Sequence, residues 1–416
     1  MPVQPVTATI SPPNTPRDHE AVYVARQPIY DRELHVFAYE ILFRNSAGQA
    51  VVDCGDQATS EVVVNTLMDI GLERIVGSQV AFINFTDGFI TGELPLPPMS
   101  DNIVLEVLES VIPDQQLVDG LTRLVDEGYR IALDDFVYDD RFIPLLKLAH
   151  IVKLDVLALS SNELATTIEK LRPYELTLLA EKVETHEKFR ECEDLGFEYF
   201  QGYFFCKPDL VSGRRPSGNR MTVLQVLSTL QRSDVEILEL EATIARDATL
   251  GLRLLAYINS AYFGLRADVT SIRRALTLVG RRGIRQWASL VLMTNLADGK
   301  PAELLVVGMV RAKMCERLGE VYGAIPADLF FTAGLFSILD ALLDQPLDDI
   351  LDSVAIDDDA VGALLERRGA MGETLGAVID FEQGHIQDWC PQKLERCQLA
   401  YIDALKWSRE VAALAG

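Results

Sequence analysis

An α/β TIM-type (β/α)8 barrel followed by an all-α helical domain is the architecture this sequence predicts. Three observations carry that expectation. β-rich apolar runs alternate with helically spaced segments from residue 21 to 210. Polar residues close those runs at intervals of roughly 20 to 30 residues, the repeat of a strand–helix unit. Beyond residue 220 the strand patterns vanish and helical spacing continues alone.

In order, the runs are VFAYEILFR, QVAFINFT, NIVLEVLE, RIALDDF, HIVKLDVL, TLLAEKV and FEYFQGYFF. Between them, Asp56–Ile70 and Pro113–Glu127 carry apolar residues at helical spacing. Pro113 and Asp114 open the second of these, and Gly128 stands just past its end. The proline-rich residues 1–20 read as a flexible tail, 21–210 as the barrel and 220–409 as the helical domain. The linker, 211–219, lies within DLVSGRRPSGNR, a stretch without apolar periodicity. Thr222–Leu230, Glu236–Arg246, Thr249–Ile258, Ile272–Leu278, Arg282–Asn295, Ala302–Arg317 and Asp328–Leu343 read as helices.

With 416 residues the chain exceeds one ordinary core, so two domains are the default. The net charge of −24 argues against DNA, which rewards a basic footprint. A small phosphate ligand stays open, because metal ions reverse the local sign. No apolar stretch reaches the roughly 18 to 20 residues that span a bilayer, and the N-terminus lacks a secretory pattern. The expectation is a cytoplasmic protein with no membrane association. Six cysteines without a C-x-x-C pair read as free thiols.

The chemistry lies in what ends the runs. Glu40, Asn84, Glu106, Asp134, Asp135 and Glu181 bring hard oxygen donors, and Lys153 and Gln201 fall in the same rhythm. Taken singly, each is an ordinary solvated strand end. As a ring at the C-terminal face of a barrel they suit Mg²⁺ or Mn²⁺ rather than zinc or copper. Two such ions can clamp a phosphodiester and activate water. Lys153 can neutralise developing charge or orient that water, and Arg44 can contact phosphate.

The ordered series Glu40-Ile41-Leu42-Phe43-Arg44, Asn84, Glu106-Val107-Leu108-Glu109, Asp134-Asp135-Phe136, Lys153-Leu154-Asp155, Ala180-Glu181-Lys182-Val183-Glu184 and Gln201-Gly202-Tyr203 resembles the EAL domain family. That resemblance implies a phosphodiesterase that cleaves cyclic di-GMP with Mg²⁺ or Mn²⁺. It implies metal ligands at Glu40, Asn84, Glu106, Asp134 and Glu181, with Asp135 serving a second metal. Lys153 and Glu184 would support the attacking water or its ligands, Gln201 would help complete the site and Arg44 would hold phosphate. Glu109 would anchor the mobile loop after the paired aspartates. The sequence departs from the family at Ile41 (alanine), at Lys182 (glycine) and at Val137-Tyr138-Asp139-Asp140, where a glycine-rich loop is expected. Losing those glycines removes backbone freedom that closure would use.

The second half resembles the HDOD domain, a relative of HD-type phosphohydrolases, through Ile258-Asn259-Ser260-Ala261-Tyr262-Phe263-Gly264 and the Ala275–Gly280 helix. Ser337-Ile338 stands where HD enzymes place a histidine–aspartate pair. His385 is the only histidine after residue 186, so an HD metal centre cannot be assembled. Asn259 and Ser260 read as caps or packing residues, with contact to a ligand as the alternative. Arg273, Arg274, Arg281, Arg282 and Arg285 form either a docking patch or a solvated face. Trp287, Trp389 and Trp407 read as core anchors. The whole resembles EAL–HDOD signalling proteins of the YuxH-like group, in which homodimers and protein partners of the helical domain are expected. Three readings follow: a cyclic di-GMP-linked regulator with a degenerate site, a working phosphodiesterase, and a scaffold that ignores the nucleotide.

Overall fold

The computed structural model describes residues 23–44, 72–93, 102–109, 111–207, 258–259, 269, 272–297, 300–323, 325–352, 358–387 and 389–415. The expected tail, the linker, the Asp56–Ile70 helix, Thr222–Leu230 and Glu236–Arg246 lie outside these residues, as does Thr249–Ile258 except for Ile258. So does the side chain of Arg44.

Eight strands close into a barrel in sequence order. They are β1 (Tyr23–Tyr30), β2 (Val36–Arg44), β3 (Val80–Asn84), β4 (Ile103–Val107), β5 (Arg130–Leu133), β6 (Ile151–Asp155), β7 (Thr177–Glu181) and β8 (Tyr199–Gln201). From β2 to β8 neighbouring strands run parallel, whereas β1 is antiparallel to both β2 and β8. A (β/α)8 barrel with every strand parallel would need a crossover after β1. Here Asp31–His35 closes a tight turn instead, with Asp31 N donating to His35 O (3.0 Å) and Leu34 at φ 60°. The first unit is therefore a hairpin.

Helices α1 (Leu72–Val76), α2 (Asp87–Thr91), α3 (Gln115–Asp126), α4 (Ile143–Leu146), α5 (Ser161–Leu171) and α6 (His186–Asp194) surround the barrel. Asp114 caps α3 by accepting from Leu117 N, and Gly128 beyond its end is left-handed, as its sequence promised. Ser160 and Glu163 form a reciprocal capping box on α5.

The helical half begins with α7 (Ile272–Leu296), which joins the two expected segments across a kink at Gly280, whose φ of 68° a glycine accepts freely. Next come α8 (Ala302–Gly319), α9 (Ala327–Phe336), α10 (Leu339–Leu343), α11 (Leu347–Asp352), α12 (Asp358–Glu366), α13 (Gly369–Gln383) and α14 (Pro391–Ala415). The single helix expected over Asp328–Leu343 is broken at Ser337-Ile338. Ile338 turns out of helical geometry at φ −113° and sits fully buried beside Gly308. Trp287 and Trp407 are buried and Trp389 packs against the core, as anchors do. Asn259 bonds Val269 through both N–H and C=O, a structural role.

The helical half covers β1 and β2 from outside with buried polar links. Tyr39 donates to Glu303 (3.0 Å), with Arg26 stacked 3.9 Å over its ring. Arg409 and Arg26 satisfy the last carbonyls of α1 at Glu73, Arg74 and Ile75. Tyr203 donates to Glu382 O (2.6 Å), and Glu382 is ion-paired with Arg311 at 2.8 Å. Burial first of all pushes the Glu382 carboxyl up, and Arg311 pulls it back. Replacing only Arg311 strands a buried carboxylate, which typically costs about 3–5 kcal/mol. Arg311→Met should therefore lower the urea midpoint sharply, while Arg311→Met with Glu382→Leu should recover most of the loss. Equal midpoints for the two variants would contradict this coupling.

Candidate active site

Period-2 geometry builds the site. Ile29, Ala38, Phe82, Val104, Ala132, Ile151 and Leu179 fill the barrel interior as one apolar cluster. Two residues further toward the C-terminal ends of β2 to β7, side chains on the same face are Glu40, Asn84, Glu106, Asp134, Lys153 and Glu181. Tyr199 leads likewise to Gln201 on β8, and the reversed β1 presents Gln27 beyond Ile29.

Lys153 is the centre. Its fully buried ammonium lies 3.2 Å from Glu40 Oε2, 2.6 Å from Glu106 Oε1, 2.7 Å from Asp134 Oδ1 and 3.0 Å from Glu181 Oε1. The Asp134 contact is ionic and poorly aligned for a hydrogen bond. Gln201 Nε2 donates to Glu40 Oε2 (2.6 Å) and Gln27 Oε1 (3.1 Å), and Asn84 Nδ2 reaches Glu40 Oε1 at 3.5 Å. Among the described residues, Asn84 Oδ1, Glu106 Oε2, Glu181 Oε2 and Gln201 Oε1 are buried without a hydrogen-bond partner.

Four carboxylates against one ammonium leave three uncompensated negative charges if all ionise. At an effective dielectric near 20, two unit charges 4 Å apart interact by about 4 kcal/mol, so this imbalance is large. Glu106 accordingly titrates well above the ordinary carboxylate range, through burial first and then Glu40, despite Lys153. Burial, then Asp134 and Glu40, hold Glu181 up at about 8 against the pull of Lys153.

Among the described residues no three acidic, histidine or cysteine side chains stand as a ready-made metal cage, because the carboxylates are drawn onto Lys153. Their chemistry nevertheless fits a hard divalent cation. The donors are oxygens, several are orphaned, and the pit carries surplus negative charge.

Models of two families match the sequence, an EAL domain over residues 93–208 and an HDOD domain over 220–343. A relative, cyclic di-GMP phosphodiesterase CdgJ of Vibrio cholerae, is 30% identical over 94% of this chain and 93% of its own. The chain belongs to the EAL–HDOD family. Uncharacterized protein YuxH of Bacillus subtilis is also 30% identical, over 93% of this chain and 98% of its own. Among solved structures, the FimX EAL domain of Pseudomonas aeruginosa bound to c-di-GMP is similar with a TM-score of 0.36. It is 18% identical and covers 44% of this chain and 89% of its own.

Not every expected residue of the EAL barrel joins the pit. Glu184 is exposed and pairs with Lys207 at 3.7 Å. Asp135 meets Lys182 instead of the ring. Glu109 is exposed at the edge of a cavity of about 200 Å³, lined also by Asp134, Phe136 and Val137, and makes no hydrogen bond or ion pair among the described residues. The 136–142 loop carries contacts of its own. Phe136 stacks edge-on with Tyr138 and Phe142, Lys170 lies 4.7 Å over the Tyr138 ring, and Asp139 accepts from Arg141.

Sequence reasoning missed Gln27, whose signal is its alternation with Ile29; Tyr203, quoted only as the end of the last motif, bonds α13 of the helical half. Gly202 between Gln201 and Tyr203 has a reason: a Cβ there would collide with the Val183 carbonyl. In the HDOD half, Ser337 accepts from Arg311 (3.3 Å) and donates to Gly334 O (2.8 Å), as a packing residue would.

The pH response follows from Glu181. Its carboxyl is raised from 4.5 to about 8, so the stability it contributes is complete below about 4.5 and is lost as pH rises through 8. A divalent cation favours the ionised form. The rise in Tm on adding Mn²⁺ should therefore grow between pH 6 and 8.5. A constant rise across that interval would contradict the assignment.

Proposed function

We propose that the barrel binds cyclic di-GMP and hydrolyses it to the linear dinucleotide with Mg²⁺ or Mn²⁺, and that the HDOD domain acts through protein partners. The observation that carries this reading is the convergence of Glu40, Glu106, Asp134 and Glu181 on one buried point at Lys153. The similarity to CdgJ along nearly the whole chain supports the same substrate class.

Glu40, Asn84, Glu106, Asp134 and Glu181 would hold the cation. A bound divalent ion supplies Lewis-acid polarisation of the phosphodiester and lowers the pKa of a water. Gln201 fixes Glu40 in the orientation the ring requires. Lys153 stays protonated: burial alone would lower its pKa, but Glu106 and Glu181 raise it further than burial lowers it. It can therefore stabilise charge developing on a phosphoryl oxygen. These groups sit on strands, so their positions are preorganised.

One observation favours a second reading, nucleotide binding without turnover: the 136–142 loop lacks glycine and is pinned by its aromatic contacts. Purified protein incubated with cyclic di-GMP and Mn²⁺ decides between them. We expect linear dinucleotide, reduced at least about 100-fold by Glu40→Ala or Glu181→Ala, each of which removes a metal ligand. Calorimetric binding in Ca²⁺ with no product in Mn²⁺ would establish the second reading, and neither binding nor product would leave a nucleotide-independent scaffold.

A further inference from the structure

Beside the pit, the end of β7 carries a cation that the hydrolytic reading leaves unused. Lys182 follows Glu181 directly with φ 57°, in the left-handed region a lysine rarely enters. Asp135, directly after Asp134, is left-handed too, at φ 40°. Lys182 Nζ lies 3.2 Å from Asp135 Oδ1 and 2.6 Å from Asp155 Oδ2. Asp155 is itself held by Leu157 N (2.8 Å) and Ala158 N (3.0 Å). The ammonium thus ties together the ends of β5, β6 and β7, half exposed where Lys153 is wholly buried.

We propose that Lys182 is a built-in counter-cation for Asp135, so that this barrel takes one divalent ion, at the Glu40–Asn84–Glu106–Asp134–Glu181 ring, and not a pair. The inference rests on the metal-dependent reading above and names its stoichiometry. An ammonium 3.2 Å from Oδ1 holds one of the two oxygens of Asp135, and its charge repels any divalent cation drawn there. Its tether to Asp155, a carboxylate fixed by two backbone donors, keeps it in place. A strained backbone such as that of Lys182 persists only where its surroundings over-determine it, and the two carboxylates do so. Glycine at 182 would hold the same backbone without strain and leave Asp135 open.

Mn²⁺ titration of the full-length protein, with free ion read by electron paramagnetic resonance and no nucleotide present, tests this. Wild type should bind one ion per chain. Lys182→Gly should bind two, the second at least ten-fold tighter than any second ion in wild type. Lys182→Met, which keeps bulk and backbone demand but removes charge, should also gain the second ion. Adding Asp135→Asn to Lys182→Gly should abolish it. Two ions in wild type, or one ion in both single variants, overturns this proposal alone. Folded wild type that binds no Mn²⁺ overturns the metal-dependent reading and this inference with it.

Discussion

A buried ammonium with four carboxylates around it constrains everything else in this molecule. Removing one ion from water into a protein interior costs several kcal/mol, and mutual attraction offsets that only where geometry is close. Lys153 meets that condition from the middle of the barrel, with contacts of 2.6 to 3.2 Å to residues on β2, β4, β6's neighbour β7 and the end of β5. Those strands must stay in register for the ring to close. The apolar layer beneath, from Ala38 and Phe82 to Leu179, holds that register by packing.

The same alternation that points Glu40 inward points Tyr39 outward, onto Glu303 of α8. At the other edge, Gln201 bonds Glu40 while Tyr203, two residues on, bonds the end of α13. The helical half therefore rests on the two strand ends that flank the pit. It packs on the outer face of the β1–β2 hairpin, through Tyr39 on Glu303 and Val24 N on Gln398. A hairpin start and a helical partner are two sides of one solution: without a crossover helix after β1, that face needs cover, and α8, α13 and α14 provide it.

Much of this was legible in the sequence, for a physical reason. Strand ends in a parallel barrel converge, and period 2 fixes which residues face inward, so Glu40, Asn84, Glu106, Asp134, Lys153, Glu181 and Gln201 could be read as a ring before any coordinates. The capped helix at Pro113–Glu127 was equally local. What failed to show was tertiary in origin. The reversal of β1 depends on a five-residue turn, Asp31–His35, with no glycine or Asn-Gly signal. The break at Ser337-Ile338 carries no proline or glycine, and arises where Ile338 is drawn against Gly308. Glu184 and Asp135 shared the motif spacing of the ring but face Lys207 and Lys182.

On the proposed phosphodiesterase reading, affinity and turnover draw on different parts of this barrel. The ring is built on strands and locked by Gln27, Gln201 and Lys153, so cation binding needs little reorganisation beyond releasing carboxylates from one ammonium. On that reading closure over a substrate falls to the 136–142 segment, whose Tyr138 is held by Phe136 and by the Lys170 cation. A rigid pit with a pinned gate separates the two quantities. If the metal-dependent reading holds, changes at Phe136, Tyr138 or Lys170 act on the rate of closure and changes at Glu40 or Glu106 on the ion itself, and a mutational series that mixed the two would misread one as the other.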